Sequence, residues 1–271
     1  MTAGQALAAA SIEPREARIL LAEASGFSQA SVIAHPEREL PPEVAQRFDA
    51  TAARRRAGEP LAYILGRREF YGLPLAVNPA VLIPRPETEL LVELALERLD
   101  AESNAPVLEL GTGSGAVALA LKRLRRRARL VAVEASAAAL EVARRNATRL
   151  GLEIEFRHGR WFEPLAGERF VLIISNPPYV AAGDPHLEQG DLRFEPRTAL
   201  VAGADGLDAI RQIARGAPAH LDPGAWLLLE HGMGQERAVR DLLAEAGLEA
   251  LSTWPDLAGI ARVTGGRLKS E

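Results

Sequence analysis

The sequence predicts an α/β fold, a mostly parallel sheet with helices on both faces, preceded by a small helical domain. Three observations lead there. From residue 105 onward, short runs of branched apolar residues alternate with longer amphipathic segments, the pattern of parallel strands joined by crossover helices. The run Val107-Leu108-Glu109-Leu110 passes directly into Gly111-Thr112-Gly113-Ser114-Gly115, a strand followed by a tight turn and a helix start. Residues 1 to about 75 lack such runs and carry helical periodicity instead.

Taken in order, Pro14 opens a helix with Ala17, Leu20, Leu21 and Ala24 on one face, closed by Gly26. Pro41-Pro42 opens a second, with Val44, Phe48 and Ala52 repeating every four residues to Gly58. Between Gly66 and Pro84, two short apolar runs around turn residues read as a hairpin linking two domains. Pro86 starts a helix with Glu87 and Glu89 in its first turn, where acidic groups favour the dipole. Strands are then expected at 106–110, 129–134, 153–158, 169–175, 224–231, 248–254 and 260–264, and helices at 115–124, 136–150, 206–219 and 234–246. The domain division expected is 1–75 and 76–271, with the linking hairpin at about 66–84.

Composition removes several function classes. At 271 residues the chain can bury a substantial core. It has no apolar stretch of membrane-spanning length and no basic, apolar leader, so a soluble cytoplasmic protein is expected. The absence of Cys removes disulfides, thiolate chemistry and Cys-based zinc sites together. Five His residues, at 35, 158, 186, 220 and 231, show no metal-ligand spacing, and no metal is expected. A net charge of -4 lacks the broad basic footprint of a duplex nucleic-acid binder. The Arg cluster at 123 and 125–127 lies at a helix C-terminus and is expected to be a solvated, dipole-matched surface.

The chemistry is concentrated in Asn176-Pro177-Pro178-Tyr179, at the carboxyl end of the apolar run 170–175, the sheet edge where open α/β folds bind ligands. Two prolines remove two N–H donors, leaving a stiff corner that offers acceptors: the Asn176 side-chain oxygen and backbone carbonyls. Such a corner suits a planar NH2 group held by the Asn176 oxygen and the Pro177 carbonyl, with the Tyr179 ring against its flat face.

The glycine-rich turn Gly111 to Gly115, with Ala116, also fits a dinucleotide fingerprint, and Glu134 at the end of the next strand could accept both hydroxyls of a ribose in either cofactor. The rest of the site discriminates. A pyrophosphate gains from helix N–H groups, whereas a sulfonium with an amino-acid tail gains from acids and acceptors. Glu109 before the glycines and the acceptors at Asn176 favour S-adenosyl-L-methionine. Trp161 and Phe162 are candidates to cover its adenine. A non-methylating dinucleotide-binding protein stands as the distant alternative.

Glu109-Leu-Gly-Thr-Gly-Ser-Gly115, Asn176-Pro-Pro-Tyr179, Ile83-Pro-Arg-Pro-Glu-Thr88, Trp161-Phe162 and Arg193-Phe-Glu-Pro196 together resemble the bacterial release factor glutamine methyltransferases, over about residues 60–267. The tetrapeptide alone is shared with methyltransferases of DNA adenine and of a ribosomal-protein glutamine; the segment Ile83 to Thr88 is more specific. The resemblance implies a Rossmann-like class I S-adenosylmethionine-dependent methyltransferase fold. It implies cofactor contacts from Gly111, Thr112, Gly113, Ser114, Gly115, Glu134, Trp161 and Asn176, and a substrate glutamine held by Asn176, Pro177, Pro178 and Tyr179. It further implies a class I peptide chain release factor as partner, received by the N-terminal helical domain. Glu109 and Glu134 stand where the family more often has Asp, and Arg160 where it has Asp.

Two weaker signals complete the reading. The long segment Asp184 to Asp205, next to the tetrapeptide, is expected to cover the substrate site. Arg85 and Glu87 are candidates for the methionine end of the cofactor pocket. Neither His186 nor Glu195 has a spacing that marks a general base.

Overall fold

The computed structural model describes residues 1–270 and divides them into two compact units. The first comprises Met1–Arg67 together with His186–Phe194; the second holds Arg68–Pro185 and the chain from Glu195 onward.

The first unit is helical: α1 (Ala3–Ala9), α2 (Pro14–Ser25), α3 (Gln29–Ala34), α4 (Pro42–Arg56) and α5 (Leu61–Leu65). Helix α2 starts at Pro14, takes a side-chain cap from Glu13 to the Glu16 N–H, and stops where Gly26 adopts φ 73°. The i+4 stripe of α4, Val44, Phe48 and Ala52, packs with Leu20 and Leu21 in this unit's own core. Helices α1, α3 and α5 have no counterpart in the sequence reading. Each has seven residues or fewer, too short to display a periodicity. The excursion 186–194 joins this unit through side chains: Arg55 pairs with Asp191 at 3.3 Å, and Arg193 donates to the Ala57 carbonyl at 3.2 Å.

A two-stranded hairpin follows, β1 (Arg67–Phe70), all but its first residue in the second unit, and β2 (Leu73–Ala76). A 3-10 turn at Pro86–Thr88 leads into α6 (Glu89–Arg98). Then come β3 (Pro106–Leu110), α7 (Ala116–Leu124), β4 (Arg129–Glu134), α8 (Ala137–Leu150), β5 (Glu155–His158), β6 (Phe170–Ser175), α9 (Asp208–His220), β7 (Leu221–Glu230), α10 (Glu236–Glu245), β8 (Leu248–Pro255) and β9 (Ala261–Leu268). The strand order is β5-β4-β3-β6-β7-β9-β8, parallel throughout except that β9 runs antiparallel between β7 and β8. The final strand is longer than expected because Gly265 and Gly266 let it continue. A Cβ on either would come within 2.6 Å of a Leu side chain across the ladder.

Side chains alternate across the sheet with the period of two that strands impose. Val107, Leu172, Ile174 and Leu228 face α6 and α7 residues such as Leu91 and Leu119. Leu108, Leu110, Ile173, Leu227 and Leu229 face Ile210, Ile213, Val239 and Leu243 from α9 and α10. Both faces are therefore covered, which accounts for strands that read as nearly continuous apolar runs. The Arg cluster after α7 is structural: Arg125 donates to the Leu96 and Leu99 carbonyls, and Arg123 to that of Gly72. Among the described residues no helix is long and apolar enough to cross a membrane.

Candidate active site

The strand order reverses between β3 and β6, and at such a switch point the two flanking loops diverge and leave a crevice at the carboxyl edge. Here that crevice is a cavity of about 580 Å³, within the range of small-molecule sites. The Ser175 hydroxyl, buried at the end of β6, donates to the Leu110 carbonyl at 2.7 Å and ties the two strand ends together.

One wall is the turn after β3. Gly111 and Gly113 hold φ 72° and 55°, left-handed values that cost other residues dearly. A Cβ on Gly111 would touch the Trp161 ring at 3.5 Å, so the indole lies over the glycine turn. Trp161 itself has φ 49° and donates its ring N–H to Gln212 at 3.1 Å. Gly115 is different. It is not part of the wall; it caps α7 at φ 85°, and a Cβ there would meet Leu119 at 3.0 Å and Ala143 at 3.3 Å. The close approach of α7 and α8 and the left-handed backbone both favour glycine here, which gives Gly115 a packing role.

Glu134 ends β4 with its carboxylate braced on both sides. Oε2 accepts from the Gly113 N–H at 2.9 Å and Oε1 from the Ser136 N–H at 2.8 Å. Each oxygen keeps a second lone pair, and the residue lines the cavity. Glu109 also reaches the wall but is only 3% exposed. Its Oε2 accepts from the Thr112 hydroxyl at 2.5 Å and the Ala118 N–H at 3.1 Å, so it organises the start of α7 as well as presenting an acid. Burial, with a smaller contribution from the nearby Glu134 charge, pushes the Glu109 pKa up to about 8.

That displacement has a signed consequence for stability. Below about pH 4.5 the carboxyl is protonated folded and unfolded alike; between there and about pH 8 only the unfolded chain ionises, so stability is lost as pH rises through that window. Glu109→Gln keeps the acceptor without the charge. It is expected to gain stability over the parent as pH rises from 5 to 9, by up to a few kcal/mol, on the order of the linkage limit. Urea unfolding across that range measures it, and a difference independent of pH would count against the buried charge.

Asn176 and Pro178 line the cavity from the end of β6, and Asn176 donates its side-chain NH2 to the Thr88 hydroxyl at 3.1 Å. Pro177 is buried. Tyr179 is not part of the wall: its ring packs among the α9 and α10 core residues, its phenol makes a long 3.4 Å bond to Glu230, and its carbonyl accepts from Gln235 at 3.0 Å. The expected stacking of that ring on a flat group in this cavity is not the geometry seen. Burial raises the phenol pKa, keeping it protonated.

Phe162 is likewise separate. It stacks on His220 with ring centroids 4.7 Å apart, over Gly216, where a Cβ would sit 2.5 Å from the ring. Of the expected aromatic pair, only Trp161 meets the cavity. Arg85 lines it and pairs with the fully buried Glu195 at 2.5 Å, whereas Glu87 does not reach the wall. The covering segment is present in its second half, where Pro196, Thr198, Ala199 and Val201 close one side and Val180 bridges to Val201.

Two contributors escaped the sequence reading. Thr88 lines the cavity and receives Asn176. Asn146, fully buried on α8, accepts from the Ala76 N–H at 2.7 Å and donates to the carbonyls of Ala76 at 3.0 Å and Ser114 at 2.9 Å. It thereby fixes the glycine turn to β2. Its signal was available, because a lone Asn interrupts the apolar stripe Leu140, Ala143, Ala147.

Comparison with known proteins agrees with this architecture. Residues 1–66 match the PrmC N-terminal domain model, and residues 87–191 match the methyltransferase small domain model. The release factor glutamine methyltransferase of Xylella fastidiosa strain Temecula1 is 52% identical over 257 residues, 94% of each chain. That of Neisseria gonorrhoeae is 50% identical over 269 residues, 98% of each. A solved 16S rRNA N2 methyltransferase from T. thermophilus, in complex with AdoMet and guanosine, superposes with TM-score 0.58 at 24% identity, covering 75% of this chain and 50% of its own; it shares the fold. With half of all positions identical along nearly the whole of both chains, this chain belongs to the release factor glutamine methyltransferase family.

Proposed function

We propose that this chain transfers a methyl group from S-adenosylmethionine to the side-chain amide nitrogen of the glutamine in the Gly-Gly-Gln loop of class I release factors, in the cytoplasm. The observation that carries the reading is the orientation of Asn176. Its NH2 is committed to Thr88, which leaves its oxygen as the acceptor for a substrate NH2 at the edge of a cavity that also presents Glu134.

The residues present suit this cofactor. The braced Glu134 carboxylate matches the two ribose hydroxyls, the glycine turn lets a ligand approach the backbone, and the Trp161 ring offers a flat apolar face to adenine. Asn176 supplies an acceptor for the amino-acid tail, and the Glu109 carboxyl, protonated in the folded chain below about pH 8, is a polar group at the wall and not a charge. When bound, the cofactor supplies an electrophilic methyl. Glu134→Ala is expected to weaken S-adenosylmethionine binding by about 1.5–3 kcal/mol with folding intact, the range for charge-assisted hydrogen bonds. Calorimetric titration checks this, and an unchanged affinity would move the ribose elsewhere.

A carboxamide nitrogen is a weak nucleophile because its lone pair is delocalised into the carbonyl. The site's contribution is orientation: the Asn176 oxygen and the Pro177 carbonyl hold the two amide hydrogens so that the lone pair is directed at the methyl. Positive charge growing on that nitrogen during transfer would lie beside those same oxygens, which would stabilise it. The amide proton becomes acidic only on alkylation and leaves to solvent, so no strong base is needed beforehand. The helical unit is assigned to receiving the release factor.

Mass spectrometry of a release factor incubated with the enzyme and S-adenosylmethionine tests the reading. A single methyl on the glutamine-bearing peptide is expected. Methylation of adenine in DNA, with the release factor unchanged, would replace it.

A further inference from the structure

We propose that Gln235 is a positioning residue for methyl transfer: its side-chain amide fixes the downstream end of Asn176-Pro177-Pro178-Tyr179, and with it the direction of the Pro177 carbonyl. The inference rests on the function proposed above. Gln235 stands between β7 and α10. Its Oε1 accepts from the Gly232 N–H at 2.8 Å, and its Nε2 donates to the Tyr179 carbonyl at 3.0 Å. The turn 232–235 is closed by a further bond, from the Gln235 backbone N–H to the Gly232 carbonyl at 3.2 Å. One primary amide thus uses both of its ends, and it joins the loop after β7 to the loop after β6.

The tetrapeptide depends on outside anchors because its prolines supply none. Residues 177 and 178 have no N–H to donate, so the segment is held at its two ends. Upstream, the Asn176 NH2 donates to Thr88 at 3.1 Å. Downstream, the Tyr179 carbonyl receives Gln235, and the Val180 N–H donates to the Leu200 carbonyl at 2.8 Å. A proline ring fixes φ and leaves ψ free, and the Pro177 carbonyl turns with ψ of that residue. Its direction is therefore set by where the chain is pinned on either side.

The surroundings are shaped to this contact. Gly206 has φ 78°, and a Cβ there would overlap the Tyr179 carbonyl oxygen and lie 2.9 Å from Gln235 Nε2. A Cβ on Gly232 would come within 3.1 Å of Gln235 Oε1 and 3.3 Å of the Tyr179 ring. Both glycines leave room for the amide between the two loops. Local stability of α10 explains Gln235 poorly. It occupies the N-cap of that helix, yet its side chain makes no capping bond, and Gln is not among the residues that favour the position. The amide is spent on the tetrapeptide and not on its own helix.

Gln235→Met and Gln235→Glu, made in the full chain, test this. Methionine keeps the length and loses both bonds. Glutamate keeps the acceptor for Gly232 but, ionised, sets lone pairs against the Tyr179 carbonyl; protonated, it regains one O–H to donate there. Facing a carbonyl, that carboxyl should titrate above its ordinary value of about 4.3. Carbonyl-13C tyrosine combined with 15N valine gives a reading without substrate, since Tyr179 is the only one of the three tyrosines followed by valine. The Tyr179 carbonyl resonance should move in both variants at pH 8, and return toward the parent's in Gln235→Glu as pH falls to 5. Single-turnover methylation of a release factor at saturating S-adenosylmethionine should be about ten- to a hundredfold slower in both at pH 8, the scale of a small misplacement at the reacting centre, with cofactor affinity unchanged. The ratio of the Gln235→Glu rate to the parent's should recover over the same pH range as the resonance. Asp205 with its partner Arg211, Glu230, His231 and Glu236 are the ionisable neighbours; the parent shares them, so the ratio reports on position 235. An unmoved Tyr179 resonance, parental rates in both variants, or a slowed Gln235→Glu whose ratio ignores pH would each overturn the assignment. A parent that leaves the release factor unmethylated would instead refute the proposed function, and the resonance would still decide whether Gln235 holds the tetrapeptide.

Discussion

Asn176→Ala is expected to depress the methyl-transfer rate by roughly a hundredfold or more at saturating cofactor, because the Asn176 oxygen serves both in aligning the amide and in stabilising its developing charge, and the Pro177 carbonyl alone cannot fix the orientation. The structure sharpens this. The Asn176 NH2 is already committed to Thr88, so truncation removes the acceptor from the cavity and leaves the Thr88 hydroxyl without its donor. Fold stability should change little, since the residue is only partly buried at a strand end. Asn176→Asp is the more discriminating companion: it keeps an oxygen but turns the Thr88 contact from donor to acceptor. It should be slow as well, although isosteric. Single-turnover kinetics with each variant measure the effect, and a near-parental rate for the alanine variant would remove the tetrapeptide from the mechanism.

A short peptide carrying Gly-Gly-Gln is expected to be methylated far less efficiently than an intact release factor, by about 10²–10⁴ in kcat/KM, the gain that a second binding contact confers through effective concentration. The acceptor corner reads an NH2 group, which every glutamine possesses. Selectivity then has to come from elsewhere on the enzyme, and the helical unit, which has its own core, is the candidate. The comparison is best made with the full chain. Residues 186–194 pack with that unit through Arg55 and Asp191, so a truncation after Arg67 would strip the excursion of its partners and confuse lost docking with lost folding. Equal efficiency on peptide and intact factor would defeat the docking argument.

The sheet was legible because its strands are buried on both faces and its helices are capped by residues with distinct backbone preferences: Pro14, Pro42 and Pro86 at starts, Gly26 and Gly151 at ends. The glycine turn, Glu134 and Asn176 could be placed at one sheet edge from the sequence because each directly follows or ends a strand whose apolar run is easily read. What stayed hidden was non-local. Thr88 and Asn176 are 88 positions apart, and Tyr179 meets Glu230 across 51; no spacing rule connects them. Short runs of small residues such as Ala3–Ala9 give helices that only tertiary packing reveals. Phe162 and Trp161 look equivalent in sequence. The backbone at Trp161, at φ 49°, turns one ring toward the cavity and leaves its neighbour against His220.

The place of β9 governs how this sheet can be made. It is an interior strand, next to the sheet's edge, pairing β7 on one side and β8 on the other, although both partners precede it in the chain. A ribosome delivering residues in order therefore releases β7 and β8 with facing edges open, and their N–H and C=O groups remain unpaired until Ala261–Leu268 emerge. Until then the apolar face carrying Leu227 and Leu229 has an incomplete sheet beside it. Closure of this domain waits on its last strand, and the interval before it is when the nascent chain is most open to association with other chains or capture by chaperones.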